Sequence, residues 1–255
     1  MAEVINYQRD EIEYIFLNRP NYGNCIDENT ADRLLEVIQE IRLKSQSKLV
    51  ILTGEGLKYF CTGGDLNTIL NFKNDLQALE SFSLKMCEII YQIAMLPQIT
   101  ICFINGYSLG GGCELASACD FRYANHNAKI GFIQGRLGIP TSWGGGTILL
   151  EKMNHQEWIT LLSSSNIYTA FQAKKLGFIH ELSKDLISLH NESFINLSRG
   201  IPAQIHHENK KILIRKWNEQ NLKKRMQEEV FSAMPLWFSD EHIKNIEQFT
   251  KKLEK

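Results

Sequence analysis

The sequence has 255 residues, of which 44% are hydrophobic, so one large domain with a sizeable core can form. The formal net charge is −1 and the pI is about 6.7, so the charge balance does not favour nucleic acid or an anionic membrane as a partner. No segment approaches the ~18 consecutive apolar residues of a membrane span. Positions 1–6 also lack the basic region followed by an apolar run that is typical of a signal peptide. We therefore expect a soluble, cytoplasmic protein.

The cysteines and histidines do not form a metal-binding pattern. Six cysteines are scattered along the chain without a C-x-x-C pair, and the histidines also lack the spacing of metal ligands. We expect free thiols in a reducing cytosol and no metal site.

The first half of the chain alternates strand-like and helix-like segments. A predicted strand at 11–17 ends at Pro20, which cannot continue a sheet ladder. Asp27 or Asn29 can cap a helix whose apolar residues at 34–41 follow helical spacing. The next predicted elements are a strand at 48–53, a helix at 81–95, a strand at 99–104, a helix at 113–119 and a strand at 121–124. This alternation predicts α/β architecture.

From residue 156 onward the pattern predicts an almost wholly helical chain. A helix at 169–176 has a glycine stop at Gly177. The charged run at 251–255 is predicted to be a solvated helix end. Aromatic anchors for the last helices are Phe231, Trp237, Phe238 and Phe249.

Three consecutive glycines, Gly110 to Gly112, open the predicted helix directly after a strand. Glycine lets a backbone N–H group approach a ligand closely, and the first N–H groups of a helix have no partner inside it. The segment can therefore bind an oxyanion or a phosphate, or it can simply allow close packing of the helix on a sheet. A second glycine turn, Gly63-Gly64, could supply another N–H donor to one thioester oxygen, as in an oxyanion hole. The pattern alone does not decide whether the two turns meet.

A competing motif overlaps the first glycine turn. Residues 106–110 match G-x-S-x-G, the nucleophile elbow of α/β-hydrolases, with Ser108 as the nucleophile. The histidines available for a triad are His180, His190, His206 and His207. Trp143, beside three glycines, could either wall a pocket or pack in the core.

Five segments, taken in order, resemble the signature segments of the crotonase superfamily, the enoyl-CoA hydratases and isomerases. They are 18–24 with Asn-Arg-Pro and Asn24, 60–66 (FCTGGDL), 106–120 (GYSLGGGCELA, then Cys119-Asp120), 170–177 (AFQAKKLG) and 240–252 with Phe249. One short motif would be weak, whereas five in family order over nearly the whole chain are specific. In this family the position of Ser108 is not a nucleophile, so the resemblance disfavours the hydrolase interpretation.

The resemblance implies an α/β fold with a crotonase-type spiral of ββα units at 1–195 and a helical trimerisation region at 196–255. It implies a homotrimer or hexamer that acts on an acyl-CoA thioester. Coenzyme A is then part of the substrate, and no separate cofactor is expected.

The resemblance also carries roles over to particular residues. Gly64 and Gly111 become the N–H donors of an oxyanion hole, and Glu114 becomes an acid or base that faces the acyl chain. The residues assigned to substrate and CoA binding are Tyr22, Asn24, Cys25, Thr62, Gly63, Asp65, Leu66 and Trp143.

The chain departs from the family pattern at Gln134, which occupies the position of the second glutamate of hydratases. An amide can orient water, but it cannot accept a proton as a carboxylate does. Residues 138–146 (GIPTSWGGG) are instead similar to the S-W-G-G segment of ethylmalonyl-CoA decarboxylases. Decarboxylation of a malonyl-type CoA ester suits a site with one carboxylate, because loss of CO₂ needs no base. Three alternatives stay open: an enoyl-CoA hydratase or isomerase, a serine hydrolase using Ser108, and a non-catalytic acyl-CoA-binding protein.

Overall fold

The computed structural model describes residues 2–44, 46–72, 75–192 and 194–253. None of the described helices is long and apolar enough to cross a membrane. Glu254 and Lys255, the end of the predicted solvated charge run, lie outside the described residues.

Two sheets organise the fold. The strands are β1 (Val4–Arg9), β2 (Ile12–Leu17), β3 (Leu49–Gly54), β4 (Tyr59–Cys61), β5 (Ile99–Ile104), β6 (Tyr107–Leu109), β7 (Phe121–Asn125), β8 (Lys129–Gly131), β9 (Tyr168–Thr169) and β10 (Glu181–Ser183). The larger sheet has the order β1-β2-β3-β5-β7-β10, and the smaller has the order β4-β6-β8-β9. In the larger sheet β1 and β2 are antiparallel and the remaining pairs are parallel. The α/β prediction is therefore confirmed.

Helices connect the strands and form the C-terminal part of the fold. They are α1 (Glu28–Arg42), α2 (Leu66–Asn71), α3 (Leu76–Ala94), α4 (Gly111–Ala118), α5 (Gly145–Leu150), α6 (His155–Ser164), α7 (Ala170–Lys175), α8 (Leu186–Glu192), α9 (Phe194–Leu197), α10 (Ala203–Glu219), α11 (Leu222–Trp237) and α12 (Asp240–Leu253). Two short 3₁₀ turns lie at Pro20–Tyr22 and Gln134–Leu137. Asp27 caps α1 by accepting a hydrogen bond from the Thr30 N–H, as the sequence predicts.

The larger sheet is buried on both faces. Successive residues of β3 point to opposite sides, so that Val50 and Leu52 join the main core cluster with α1 and α3, whereas Leu49 and Ile51 join a smaller cluster beneath α8. This burial explains why the strand is an uninterrupted apolar run.

The C-terminal helices continue the main core. Trp217 of α10 and Met226 of α11 are fully buried in the same cluster as the sheet residues. Helix α11 packs against α3 and α5. The boundary at residue 195 between a core and a helical region stays a prediction, as does trimerisation.

The predicted strands at 11–17, 48–53, 99–104 and 121–124 are confirmed as β2, β3, β5 and β7. The prediction of an almost wholly helical chain after residue 156 is wrong at β9 and β10. These strands have two and three residues, and they form because β8 and β7 offer free edges to pair with. Such short strands carry too few residues to show a period of two.

Candidate active site

The two glycine turns meet in the structure. Gly110, with φ of 54°, turns the chain from β6 into α4, and Gly63, with φ of 97°, lies beside it. A Cβ atom at Gly63 would stand 3.1 Å from the backbone nitrogen of Gly111. Both positive φ values lie where side chains are strained, so glycine is needed for the geometry as well as for the close approach.

Two backbone N–H groups are left without partners at this meeting point. The N–H of Gly111 is at the first position of α4, where no intrahelical acceptor exists. The bridge between Ile26 and Gly64 uses the Gly63 carbonyl and the Asp65 N–H, so the Gly64 N–H takes no part in it. Within the described part of the chain neither N–H has a hydrogen-bond acceptor. Two adjacent N–H donors without acceptors are what the binding of one carbonyl oxygen requires.

The indole of Trp143 packs against both of these glycines. A Cβ atom at Gly111 would stand 2.3 Å from Cζ3 of the ring, and a Cβ atom at Gly64 would stand 3.5 Å from Cζ2. The ring also makes an edge contact with Phe82 at a centroid distance of 6.2 Å. Both of the alternatives open for this tryptophan are therefore realised: it is buried, and it walls the site.

Glu114 projects from the first turn of α4 and is only 1% exposed. Its Oε1 accepts hydrogen bonds from Nε2 of Gln134 at 2.9 Å and from the backbone nitrogen of Ser142 at 3.3 Å. Its Oε2 accepts from the backbone nitrogens of Trp143 at 2.8 Å and Gly145 at 3.1 Å. Four N–H donors thus hold the carboxyl in place, and none of its partners among the described residues is a cation.

The environment favours the protonated form of Glu114. Burial, and then the nearby Glu229 carboxylate, raise the pKa of its carboxyl to about 8, against the opposing effect of the backbone N–H groups. A carboxyl with this pKa is mostly protonated at neutral pH and can act as a general acid.

Gln134 lies opposite Glu114 and is buried. Its Nε2 donates to Glu114, while its Oε1 is buried without a hydrogen-bond partner in the described structure. A buried acceptor without a partner is costly, so this oxygen is placed to accept a hydrogen bond from a bound molecule or water.

These groups line one cavity of about 460 Å³. This volume is large enough for a small acyl group and part of the coenzyme A that the resemblance predicts. Glu114 is the one carboxylate among its described lining residues, which include no Lys, Arg or His. Among the residues that the structure describes, no three His, Cys, Asp or Glu side chains are grouped to hold a metal ion.

The cavity brings together most of the residues that the sequence singled out. The predicted residues that line it are Tyr22, Cys25, Thr62, Gly63, Gly64, Leu66, Gly111, Glu114, Gln134 and Trp143. Tyr22 is 67% exposed and stands at the rim, where its ring stacks on the Arg19 guanidinium.

Asn24 and Asp65 are not among the lining residues, and their side chains instead fix the surrounding loops. Asn24 donates to the carbonyls of Glu55 and Tyr59. Asp65 caps α2 and is ion-paired with Arg19 at 3.0 Å. Their direct contact with substrate stays a prediction.

The structure does not assemble a serine triad. Ser108 is fully buried, and its hydroxyl lies 3.5 Å from the thiol of Cys113. The histidines are engaged elsewhere: His180 with the backbone of Arg122, His190 with the Tyr14 hydroxyl, His206 in other contacts, and His207 with the Ser47 carbonyl.

One wall of the cavity comes from residues that the sequence did not assign to the site. Ile246 of α12 lines it together with Trp237 of α11 and Phe249, both of which had been predicted only as aromatic anchors. The apolar spacing of these helices predicts a packed face, but no local signal indicates which part of the molecule that face covers.

Comparison with known proteins places this geometry in a family. A protein of Bacillus subtilis, YngF, provisionally named an enoyl-CoA hydratase/isomerase, is 36% identical over 176 residues, or 69% of this chain and 67% of that protein. The crotonyl-CoA hydratase of Syntrophomonas wolfei is 29% identical over 181 residues, 70% of this chain and 68% of the relative. The human ethylmalonyl-CoA decarboxylase is 30% identical over 182 residues, which cover 70% of this chain but only 58% of that protein.

The fold has a counterpart among solved structures as well. An enoyl-CoA hydratase from Bacillus halodurans matches with a TM-score of 0.88 over 97% of this chain and 100% of that chain, at 24% identity. The model of the family described as Enoyl-CoA hydratase/isomerase matches residues 8–254. The chain therefore belongs to the enoyl-CoA hydratase/isomerase family, within the crotonase superfamily of acyl-CoA enzymes.

Proposed function

We propose that this enzyme decarboxylates a malonyl-type CoA ester through an enolate held by backbone N–H groups. The observation that carries the proposal is the single carboxylate of the cavity: Glu114 faces the amide of Gln134 where hydration would need a second carboxylate.

The N–H groups of Gly64 and Gly111 are proposed to bind the thioester oxygen. The bond between the α-carbon and the carboxylate carbon breaks, CO₂ leaves, and the electron pair passes to the thioester oxygen as the enolate forms. The negative charge therefore grows at the atom that both donors face, where preorganised donors contribute most to the rate. This step needs no base.

Glu114 is proposed to complete the reaction as the acid. Its raised pKa keeps a proton available at neutral pH, and this proton passes to the α-carbon of the enolate. Solvent then restores the proton to the carboxyl. The described lining offers no cation to pair with the substrate carboxylate, so this group leaves from a mostly apolar cavity.

A second candidate is hydration of a short enoyl-CoA. Relatives named crotonyl-CoA hydratase and short-chain-enoyl-CoA hydratase match the chain, and the unpartnered Oε1 of Gln134 could orient a water. In this candidate the ionised form of Glu114 activates the water.

The test is a substrate panel of methylmalonyl-, ethylmalonyl- and crotonyl-CoA, with products identified by mass spectrometry. Decarboxylation of a malonyl ester is expected, and turnover of crotonyl-CoA alone would overturn the proposal.

Glu114→Gln should lower kcat by about 10²- to 10⁴-fold while the protein still binds CoA esters. Gln134→Glu should raise hydration sharply only if hydration is the native reaction. The homotrimeric or hexameric state expected from the family is to be measured by sedimentation on the same protein.

A further inference from the structure

A second carboxylate is bound to the same stretch of backbone as Glu114, from the other side. Glu229 of α11 accepts hydrogen bonds from the backbone nitrogens of Gly146 at 3.1 Å and Thr147 at 2.6 Å. These N–H groups directly follow those that hold Glu114. We call residues 143–147 the shared segment.

Consecutive glycines allow both carboxylates to come this close. A Cβ atom at Gly145 would stand 2.3 Å from Cβ of Glu114, and a Cβ atom at Gly146 would stand 3.1 and 3.3 Å from the carboxylate oxygens of Glu229. Larger residues would push one or both acids away. This explains in physical terms why glycines follow Trp143 in the sequence.

Glu229 does not line the substrate cavity. It lines a second cavity of about 770 Å³, together with Thr147 and Arg225, and Gln134 and Ile139 line both cavities. Glu229 can therefore act on the reaction through the shared segment or through its charge, without touching the substrate.

We propose that Glu229 is a positioning residue for the reaction. From outside the substrate cavity it anchors the backbone that holds Glu114 and sets its negative charge close to the Glu114 carboxyl. The proposal rests on the proposed function only in taking Glu114 as the titrating group of the reaction.

The charges around the two acids support this role. After burial, the Glu229 carboxylate is the largest influence that raises the pKa of Glu114. The Cys87 thiol of α3 also lies near Glu229, and burial together with this carboxylate raises the pKa of the thiol to about 12, so the thiol stays neutral.

Cations on the packed elements are ion-paired with other carboxylates. Arg225 of α11 is paired with Glu151 at 2.8 Å, and Lys223 is paired with Glu88 of α3 at 2.8 Å. Helix α6 carries Glu157 and contributes the Trp158 indole N–H, which donates to the Gly146 carbonyl at 2.8 Å. No cation among the described residues therefore pairs with both Glu114 and Glu229.

The test is the pH profile of kcat for Glu229→Gln, with Glu228→Gln as the matched control. Glu228 is the neighbouring acid on α11, but its side chain is 59% exposed and lies 3.7 Å from Lys224, so solvent screens its charge. We expect Glu229→Gln to move the limb of the profile that belongs to Glu114 about one pH unit lower. At pH values above that limb, the protonated fraction of Glu114 then falls ~tenfold. Glu228→Gln should move it much less.

The direction of this shift does not depend on the reaction. If Glu114 is an acid, Glu229→Gln lowers activity at neutral pH, whereas if Glu114 is a base it raises activity there. A failure of the decarboxylase proposal is thus distinguishable from a failure of this one.

A second readout needs no substrate. Infrared difference spectra of wild type against Glu114→Gln report the protonated carboxyl band, and its titration should shift in the same direction in Glu229→Gln. Glu229→Asp, which keeps the charge, should restore most of the wild-type profile. Equal shifts for Glu229→Gln and Glu228→Gln, or an activity loss uniform across pH, would overturn the proposal.

Discussion

The two ends of helix α4 are built in opposite ways. At its start, the N–H of Gly111 has no acceptor among the described residues, and Glu114 is buried without a cation. At its end, Lys152 donates to the carbonyls of residues 117–119 at 2.7 to 3.0 Å. The following Asp120 is paired with Lys210 at 2.6 Å. One end is open to a ligand, and the other is closed by the protein itself.

The contrast between Glu114 and Asp120 shows that burial alone does not identify a functional carboxylate. Burial acts to raise the pKa of Asp120, but the Lys210 and Lys152 ammonium groups outweigh it and hold the pKa below its usual value. Glu114 is buried still more completely, at 1% exposed against 13% for the Asp120 side chain, and has no such partner, so its pKa is raised instead. The structural acid is neutralised by cations, whereas the candidate catalytic acid is kept apart from them.

The largest expected effect comes from breaking the closed end. Lys210→Met leaves the carboxylate of Asp120 buried without its closest cation and should lower the free energy of unfolding by about 3–5 kcal/mol. Urea denaturation measures this loss. Adding Asp120→Asn should recover much of it, and a double variant as unstable as Lys210→Met would contradict the ion-pair explanation.

The next largest effect is expected on kcat, when a side chain is added at Gly111, at the open start of α4. Gly111→Ala places a methyl group 2.3 Å from Cζ3 of Trp143 and displaces the N–H that is proposed to hold the thioester oxygen. We expect kcat to fall by about 10²- to 10³-fold, the usual cost of losing one such donor.

The matched control for Gly111→Ala is Gly177→Ala. Gly177 lies just after α7 with a φ of 73°, and nothing stands within 4 Å of a Cβ atom placed there. Backbone strain of about 1 kcal/mol is expected there, with kcat unchanged. A comparable loss of kcat in both variants would show that the loss at Gly111 is not specific to the proposed donor.

The smallest effect is a difference in how stability depends on pH. Because the pKa of Glu114 is raised in the folded state, from an ordinary value near 4.5 to about 8, the unfolded chain releases this proton first, and stability falls as pH rises through that window. Relative to wild type, Glu114→Gln should therefore gain stability between pH 5 and pH 8, by at most about 3 kcal/mol.

Asp120→Asn provides the contrast. The pKa of Asp120 is lowered, so its contribution is present above the ordinary value of 3.8 and is lost only as pH falls below it. Asp120 itself therefore adds no slope between pH 5 and pH 8. The neighbouring Lys152 titrates there, because burial lowers its pKa to about 7 against the opposing effect of Asp120, so a rise smaller than that of Glu114→Gln is expected. Urea unfolding at several pH values measures both, and parallel curves for the two variants would contradict the comparison.

The sequence predicts the parts of the fold that have strong local periodicity. The buried run of β3 and the capped helix α1 are examples, because each carries its own signal over six or more residues. The smaller sheet was missed, since strands such as β6 and β8 have only three residues and form by pairing with strands that are also short. Helix α3 was predicted too short at its start, because the cap at Asp75 follows residues with no clear pattern.

The site was predictable where its chemistry lies in contiguous motifs. Gly64, Gly111 and Glu114 each stand in a short segment that indicates its role, and the cavity contains all three. Glu229 and Ile246 could not be found in this way. Their positions depend on how α11 and α12 dock against segments far away in the sequence, and nothing in their neighbours indicates that contact.

The cavity wall supplied by α11 and α12 also has a kinetic consequence. Tyr22 and Phe249 line the same space although almost the whole described chain separates them. Contacts of such long range form late, because closing the intervening chain costs entropy before the contact is gained. Helix α12 has few buried residues, and locally weak elements open before the whole fold does. Catalytic competence is therefore expected to be gained last on folding and lost first on warming, ahead of global unfolding.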